Sequence, residues 1–153
     1  TIDNNEMSRS LSSINKANEW GYFDYSKIDT EIQSINESLT KNTFQEDYID
    51  IWYSISVVEH MPAAIRREIL SIMYGTLKSE GKLLLTVDLS RNSNALWNKS
   101  GGQQVESPDE HGTLNDVLIE LKLLGFINIE IDVVKIPDTE MVDIATIRAD
   151  VDK

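Results

Sequence analysis

Glu59 and His60 stand side by side where a strand-forming run gives way to a helix, in YIDIWYSISVVEHMP, residues 48–62. An imidazole exchanges its proton near neutrality, so His60 is suited to act as a general base on a hydroxyl or an amine. A structural role is the alternative: His60 caps or packs the helix that follows. Glu59 fits that second role better, because a carboxylate favours the positive end of a helix. On an extended segment two neighbours point to opposite faces, so the pair is not expected to interact. The other histidine, His111, shares a polar stretch with Trp97. That stretch, 90–112, is rich in Ser, Asn and Gly. Loops of such length inside compact domains are usually functional or disordered. Trp97 serves there either as a lid over a ligand or as an anchor onto the core.

Other chemistries find no support. The chain has two histidines and no cysteine. No His/Asp/Glu group has metal-ligand spacing, so no metal is expected. No Gly-x-Ser-x-Gly motif points to acyl transfer. A formal net charge of −12 over 153 residues repels phosphate backbones and anionic membrane surfaces, so neither nucleic acid nor membrane is an expected partner. No apolar run approaches the ~20 residues of a membrane helix. The lack of cysteine suits a reducing compartment, and the expected location is the cytoplasm.

The elements that must position these residues follow from periodicity. Met7, Leu11 and Ile14 predict an amphipathic helix over 4–16. WGYFDY, 20–25, predicts a short strand. Ile28, Ile32, Ile35 and Leu39 predict a second helix, opened near Asp29 by a capping box of Thr30 and Gln33. Residues 48–58 are apolar on both faces, as in a central strand of a parallel sheet. Pro62 suits the first turn of a helix, whose inner face is read as Ile65, Ile69, Ile72, Met73 and Leu77. Gly81 ends the turn after it, and KLLLTVDL, 82–89, is a further strand. Thr113 and Asp116 form an N-cap pair for a helix carrying Leu114, Val117, Leu118, Leu121 and Leu124, closed by Gly125. Two strands, 127–136 and 141–151, are joined through Pro137-Asp138 as an antiparallel hairpin. This alternation predicts one α/β domain over 1–153, a sandwich with a mostly parallel sheet. Right-handed crossovers place helices on both faces. Ligands in such sheets bind outside the carboxyl ends of the strands: near Asp24, near Ser54–His60 and near Asp88–Arg91.

At this point the chain resembles a family. YIDIWYSISVVEHMP, an amphipathic helix and LKSEGKLLLTVDL look like the second half of class I S-adenosylmethionine-dependent methyltransferases. That family shows Phe-Asp at the start of the strand, a Ser, a hydrophobic-Glu-His step and a Leu-Lys-Pro-Gly-Gly turn. Here Ile49-Asp50 replaces Phe-Asp, and Ser79-Glu80-Gly81 replaces Pro-Gly-Gly. ELKLLGF followed by a hairpin matches the family's last helix and antiparallel last strand. The resemblance covers about residues 45–150. It implies a Rossmann-like sandwich with S-adenosylmethionine as cofactor. TIDNN looks like the end of the family's second strand, where Asp3 would accept from the ribose hydroxyls. GYFDYS looks like the end of the third strand, where Asp24 or the backbone at Tyr25 would meet the adenine edge. Ser54 and Ile55 would lie beside the cofactor and let its sulfonium approach the acceptor. Trp97 and His111 would fall on the substrate side, with His60 as base.

The family's first strand and Gly-rich loop would fall before Thr1. SGGQQ, 100–104, neither follows a strand directly nor opens a helix, and does not replace that loop. The expectation is an N-terminally truncated fragment of a cytoplasmic methyltransferase acting on a small-molecule or sugar-like acceptor. The alternative is a non-catalytic binding or structural domain, self-associating through the sheet edge that truncation exposes on the 48–58 strand.

Overall fold

The computed structural model describes residues 30–31, 38–97, 99–100, 103–104, 108–135 and 142–153. Two compact units divide the chain, Thr1–Thr43 and Phe44–Lys153. In the first, the Thr40 N–H donates to Thr43 Oγ1 at 2.8 Å within a turn. The expected elements at 4–16 and 20–25 and most of that at 28–39, together with Asp3, Asp24 and Tyr25, lie outside the described residues.

The second unit follows the expected order. Strand β1 (Ile49–Ile55) leads through a 3-10 turn to helix α1 (Ala63–Thr76) and strand β2 (Leu77–Ser90). A short pair, β3 (Lys99–Ser100) and β4 (Gln103–Gln104), and a single turn, α2 (Pro108–His111), come next. Helix α3 (Leu114–Leu124) and strands β5 (Ile127–Lys135) and β6 (Val142–Asp150) complete it. The sheet order is β1-β2-β6-β5. β1 and β2 pair in parallel, and β6 pairs antiparallel with both β2 and β5. Three of the four strands therefore run one way, and the reversed β6 is wedged between two of them. The expected architecture, a mostly parallel sandwich with an antiparallel C-terminal hairpin, is the one observed.

Both crossovers, β1-α1-β2 and β2-α3-β5, step the same way across the sheet. A right-handed path then puts α1 and α3 on one face. That face is the core. Leu83, Leu85 and Val87 of β2 lie opposite Ala149, Ile147 and Ala145 of β6, and all six are buried beneath Leu70, Met73, Val117 and Leu121. The sequence places helices on both faces; the described helices α1 and α3 share one. Alternation along β2 leaves Leu84 exposed on the other.

Three local differences from the sequence reading have physical causes. First, α1 turns a different stripe inward: Arg66, Leu70, Met73 and Thr76 are buried with Ile72, whereas Ile65 is half in solvent. Hydropathy reads Arg66 as polar and assigns it outward; an ion pair described below holds it inside. Second, one side of 48–58 is open in the described sheet: β1 has one strand neighbour among the described strands, and Ile51, Tyr53 and Ile55 are exposed to 58%, 60% and 63%. Third, β2 starts at Leu77 rather than 82, because the expected turn is absorbed as an irregularity within the strand. The register jumps from Ile49 opposite Leu77 to Ile51 opposite Lys82. Glu80 takes φ +63° there, and a Cβ on Gly81 would meet the Lys78 carbonyl at 2.7 Å. The Glu80 N–H still finds the Val151 carbonyl at 2.8 Å.

The ends of α3 behave as read. Thr113 caps α3 in a capping box: its Oγ1 accepts from the Asp116 N–H at 3.3 Å, and Asp116 accepts from the Thr113 N–H at 2.8 Å. The Thr113 hydroxyl, which donates to Asp116 Oδ2 at 2.7 Å, and next the Thr113 N–H hold the Asp116 carboxyl below its ordinary pKa. Gly125 closes α3 with φ +102°. No described helix is long and apolar enough to cross a membrane.

Glu80 is an L-residue in the left-handed region, which costs about 1–2 kcal/mol. Glycine relieves this but orders more backbone entropy on folding. Glu80→Gly is therefore expected to stabilise the protein by roughly 0.5–1 kcal/mol, read from the midpoint of urea denaturation. An equal loss would show that the turn is held by the side chain instead.

Candidate functional site

The carboxyl ends of β1 and β2 lie side by side, and the chain works to hold them together. β1 stops at Ile55 because Ser56 turns to φ +49°. Its N–H donates to the Thr86 carbonyl at 3.0 Å and to Thr86 Oγ1 at 3.1 Å. Its hydroxyl donates to Asp88 Oδ1 at 2.9 Å. A non-glycine residue in this conformation persists only where its surroundings over-determine it, and such residues cluster at ligand sites. Ser54 and Ile55 precede it on the last paired positions of β1, opposite Leu85 and Thr86.

Three residues singled out in the sequence meet here. The His60 ring stands edge-on to Trp97, with centroids 5.6 Å apart and planes at 82°. His111 brings its Nε2 to 3.3 Å from the His60 carbonyl; since a carbonyl only accepts, this nitrogen carries the proton. The Trp97 N–H donates to the Asp88 carbonyl at 2.9 Å. Leu96 is buried and bridges Leu89, so the loop is anchored by Leu96, leaving Trp97 half-buried against His60. His111 is buried, whereas the His60 side chain is 38% exposed. Of the two imidazoles, His60 is the one open to a ligand.

Glu59 and His60 do not behave as an extended pair. Residues Val58–His60 form a 3-10 turn, which brings His60 Nε2 to 4.0 Å from Glu59 Oε1. No side chain caps α1, so the helix-start role read for Glu59 does not hold. Its side chain turns inward, fully buried, and Oε1 accepts from the Asp88 N–H at 3.2 Å. Oε2 has no hydrogen-bond partner. Burial pushes the carboxyl up to about 7, helped by the nearby Asp88 charge and opposed by backbone hydrogen bonds and by His60. The sequence offered one missed signal for this: an acid directly after an apolar run can be drawn into the core with it.

Beneath the site lies Arg66, with none of its surface exposed. Its guanidinium grips Glu120 of α3 through Nε to Oε2 at 2.7 Å and Nη2 to Oε1 at 2.9 Å. Nη1 donates to the His111 carbonyl at 2.8 Å and to the Met61 carbonyl at 3.3 Å. One side chain thus ties α1, α3, the end of α2 and the turn just past His60. A two-pronged, charge-assisted pair of this kind fixes orientation as well as adding energy. Among the described residues, no group of three or more His, Asp or Glu side chains could hold a metal.

The fold is a Rossmann-like sandwich similar to that of solved S-adenosylmethionine-dependent methyltransferases. Three solved structures share it, two of them named as methyltransferases. A 1,6-didemethyltoxoflavin N1-methyltransferase of Burkholderia thailandensis, with 1,6-didemethyltoxoflavin and S-adenosylhomocysteine bound, aligns with TM-score 0.66 and 9% identity, over 99% of this chain and 71% of its own. A possible exported protein of Bordetella parapertussis aligns with TM-score 0.60 and 13% identity, over 99% of this chain and 52% of its own. A phosphoethanolamine N-methyltransferase 2 of Haemonchus contortus, bound to phosphomonomethylethanolamine and S-adenosylhomocysteine, aligns with TM-score 0.53 and 15% identity, over 72% of this chain and 35% of its own. The chain thus spans about half the length of the Bordetella protein and about a third of the Haemonchus enzyme. No protein-family model matches the sequence, and no curated protein matches it.

Removing one partner of a buried ion pair strands the other, at a cost of about 3–5 kcal/mol, whereas replacing both with apolar groups is often neutral. Arg66→Met is expected to lose that much in urea denaturation, and Arg66→Met with Glu120→Leu to recover most of it.

Proposed function

We propose that the protein is an S-adenosylmethionine-dependent methyltransferase that moves a methyl group to a heteroatom of a small-molecule or sugar-like acceptor. The observation that carries this reading is the meeting of His60, Trp97 and His111 at the carboxyl ends of β1 and β2, on a fold shared with enzymes that hold S-adenosylhomocysteine. Ser54 and Ile55 fit a place beside such a cofactor: one is small, the other apolar, and both sit next to the strained Ser56. By resemblance, Asp3 would hold the ribose, and Asp24 or Tyr25 the adenine. When bound, the cofactor supplies an electrophilic methyl on a sulfonium.

The chain's own part is positioning and one proton. A partly exposed His60, held by its carbonyl and by the Trp97 edge, takes the proton of the attacking hydroxyl or amine. Trp97 and His111 shape the acceptor side. The acidic surface and the lack of cysteine support a cytoplasmic enzyme without nucleic-acid or membrane partners.

A second reading has its own support. β1 presents Ile51, Tyr53 and Ile55 on an edge with one strand neighbour among those described, and open edges recruit strands. A non-catalytic domain that self-associates there would sediment with concentration-dependent mass, and Tyr53→Lys would abolish the effect.

Calorimetric titration with S-adenosylhomocysteine decides the first reading, using protein that includes any residues encoded before Thr1. Saturable heat is expected; its absence overturns the cofactor assignment. His60→Ala should then lower turnover at least a hundredfold, within the usual range for acid–base catalysis, with the melting temperature unchanged. A fall in melting temperature with turnover retained would make His60 a packing residue.

A further inference from the structure

Glu59 is the buried titratable group that the proposed reaction leaves unused. Its carboxyl has no exposed surface, one oxygen bonded to the Asp88 N–H and the other bonded to nothing. As a neutral acid it accepts that bond at modest cost. As an anion it must keep a charge out of water on backbone N–H contacts, that of Asp88 at 3.2 Å, with Oε2 bonded to nothing, and a buried charge needs far more compensation than that.

The groups around it offer little relief. Asp88, on β2, is itself acidic, and its carboxylate already accepts from Ser56. Arg66, on α1, has its fork committed to Glu120 of α3. His111, on α2, is turned to the His60 carbonyl. His60, on the same turn, lies at 4.0 Å, beyond a hydrogen bond. On β6, Asp143 accepts from the Asn92 N–H at 3.0 Å.

We propose that Glu59 is a positioning residue of this site: as a neutral acid it locks the Val58–His60 turn to the end of β2, and on ionising it frees that turn and His60 with it. The geometry supports this because the Asp88 peptide is a junction. Its N–H holds Glu59 and its carbonyl holds Trp97, so loosening one contact disturbs both neighbours of His60. The effect on His60 as a base rests on the methyltransferase reading. The lock does not, and it can be tested without cofactor or acceptor.

The direction in pH follows from linkage. A carboxyl raised from 4.5 to about 7 in the closed state favours closure fully below about 4.5, and the preference is lost as pH climbs to about 7. Above that it is constant. Over this window the opening equilibrium rises by up to about tenfold per pH unit.

The Asp88 amide reports on it directly. In the intact chain, its hydrogen exchange should accelerate between about pH 5 and 7 by up to about tenfold per unit beyond ordinary hydroxide catalysis, and by hydroxide catalysis alone above 7. Glu59→Gln keeps a neutral side chain of the same shape and should show only the hydroxide slope. Glu59→Ala should exchange fast throughout. One common pH dependence for the native protein and the Gln variant overturns the proposal. The carbon-13 shift of the Glu59 carboxyl in unsubstituted protein is an independent check. A neutral-acid position at pH 6 supports the lock, and a carboxylate position there overturns it whatever the variants do. Neither result bears on calorimetry with S-adenosylhomocysteine, so the lock and the cofactor assignment fail separately.

Discussion

The buried contact between Arg66 and Glu120 is the constraint on which the carboxyl end of the sheet depends. Two helices that cover the same sheet face could slide against one another if only aliphatic side chains met between them. A guanidinium seated on a carboxylate in a fixed fork prevents that. The same guanidinium reaches two carbonyls outside the helices, so the register of α1 against α3 also sets where the loop before α3 sits over the 3-10 turn. Geometry at the site is inherited from packing at its base.

A hierarchy follows. The ladder from β1 to β6 places the strand ends. Ser56 and Asp88 bind two of those ends to each other. Arg66 then draws the flanking segments in, and only the outermost layer, the imidazole of His60 and the indole of Trp97, remains open to solvent and to ligands. Charge is used sparingly at each level. Opposite charges are paired in the deepest layer, and Glu59, which lies between layers, is the acid whose environment favours the uncharged form.

Much of this was legible in the sequence where one physical signal dominated. Thr113, Asp116 and Gly125 announced the ends of α3 because capping chemistry is local. The apolar run of 82–89 and the alternation in 141–151 announced strands, although 82–89 reads as apolar on both faces and alternates in burial. His60, Trp97 and His111 stood out by residue type at a strand end and in a long polar stretch, each with a packing role as the alternative. The failures have one cause: long-range partners are invisible in a local pattern. Arg66 reads as a surface residue until Glu120, fifty-four positions later, comes to meet it. Glu59 reads as a helix-start acid until the Asp88 amide claims it. The 77–81 segment reads as a turn until the Val151 backbone pairs with Glu80 and Gly81. Nor did the two-faced apolarity of 48–58 reveal that Tyr53 and its neighbours would be exposed in the described sheet.

The place of β6 governs how the molecule can be made. It comes last among the described strands, yet it sits between β2 and β5 and pairs with both. Until it arrives, those two strands face a gap one strand wide, and the inner row of Leu83, Leu85 and Val87 lacks the residues opposite it. During synthesis these described strands therefore cannot pair progressively from one edge; β2 and β5 wait for β6 to insert between them. Pairings of such sequence separation fold slowly, and the unfinished sheet is the state a chaperone or an aggregating neighbour would meet.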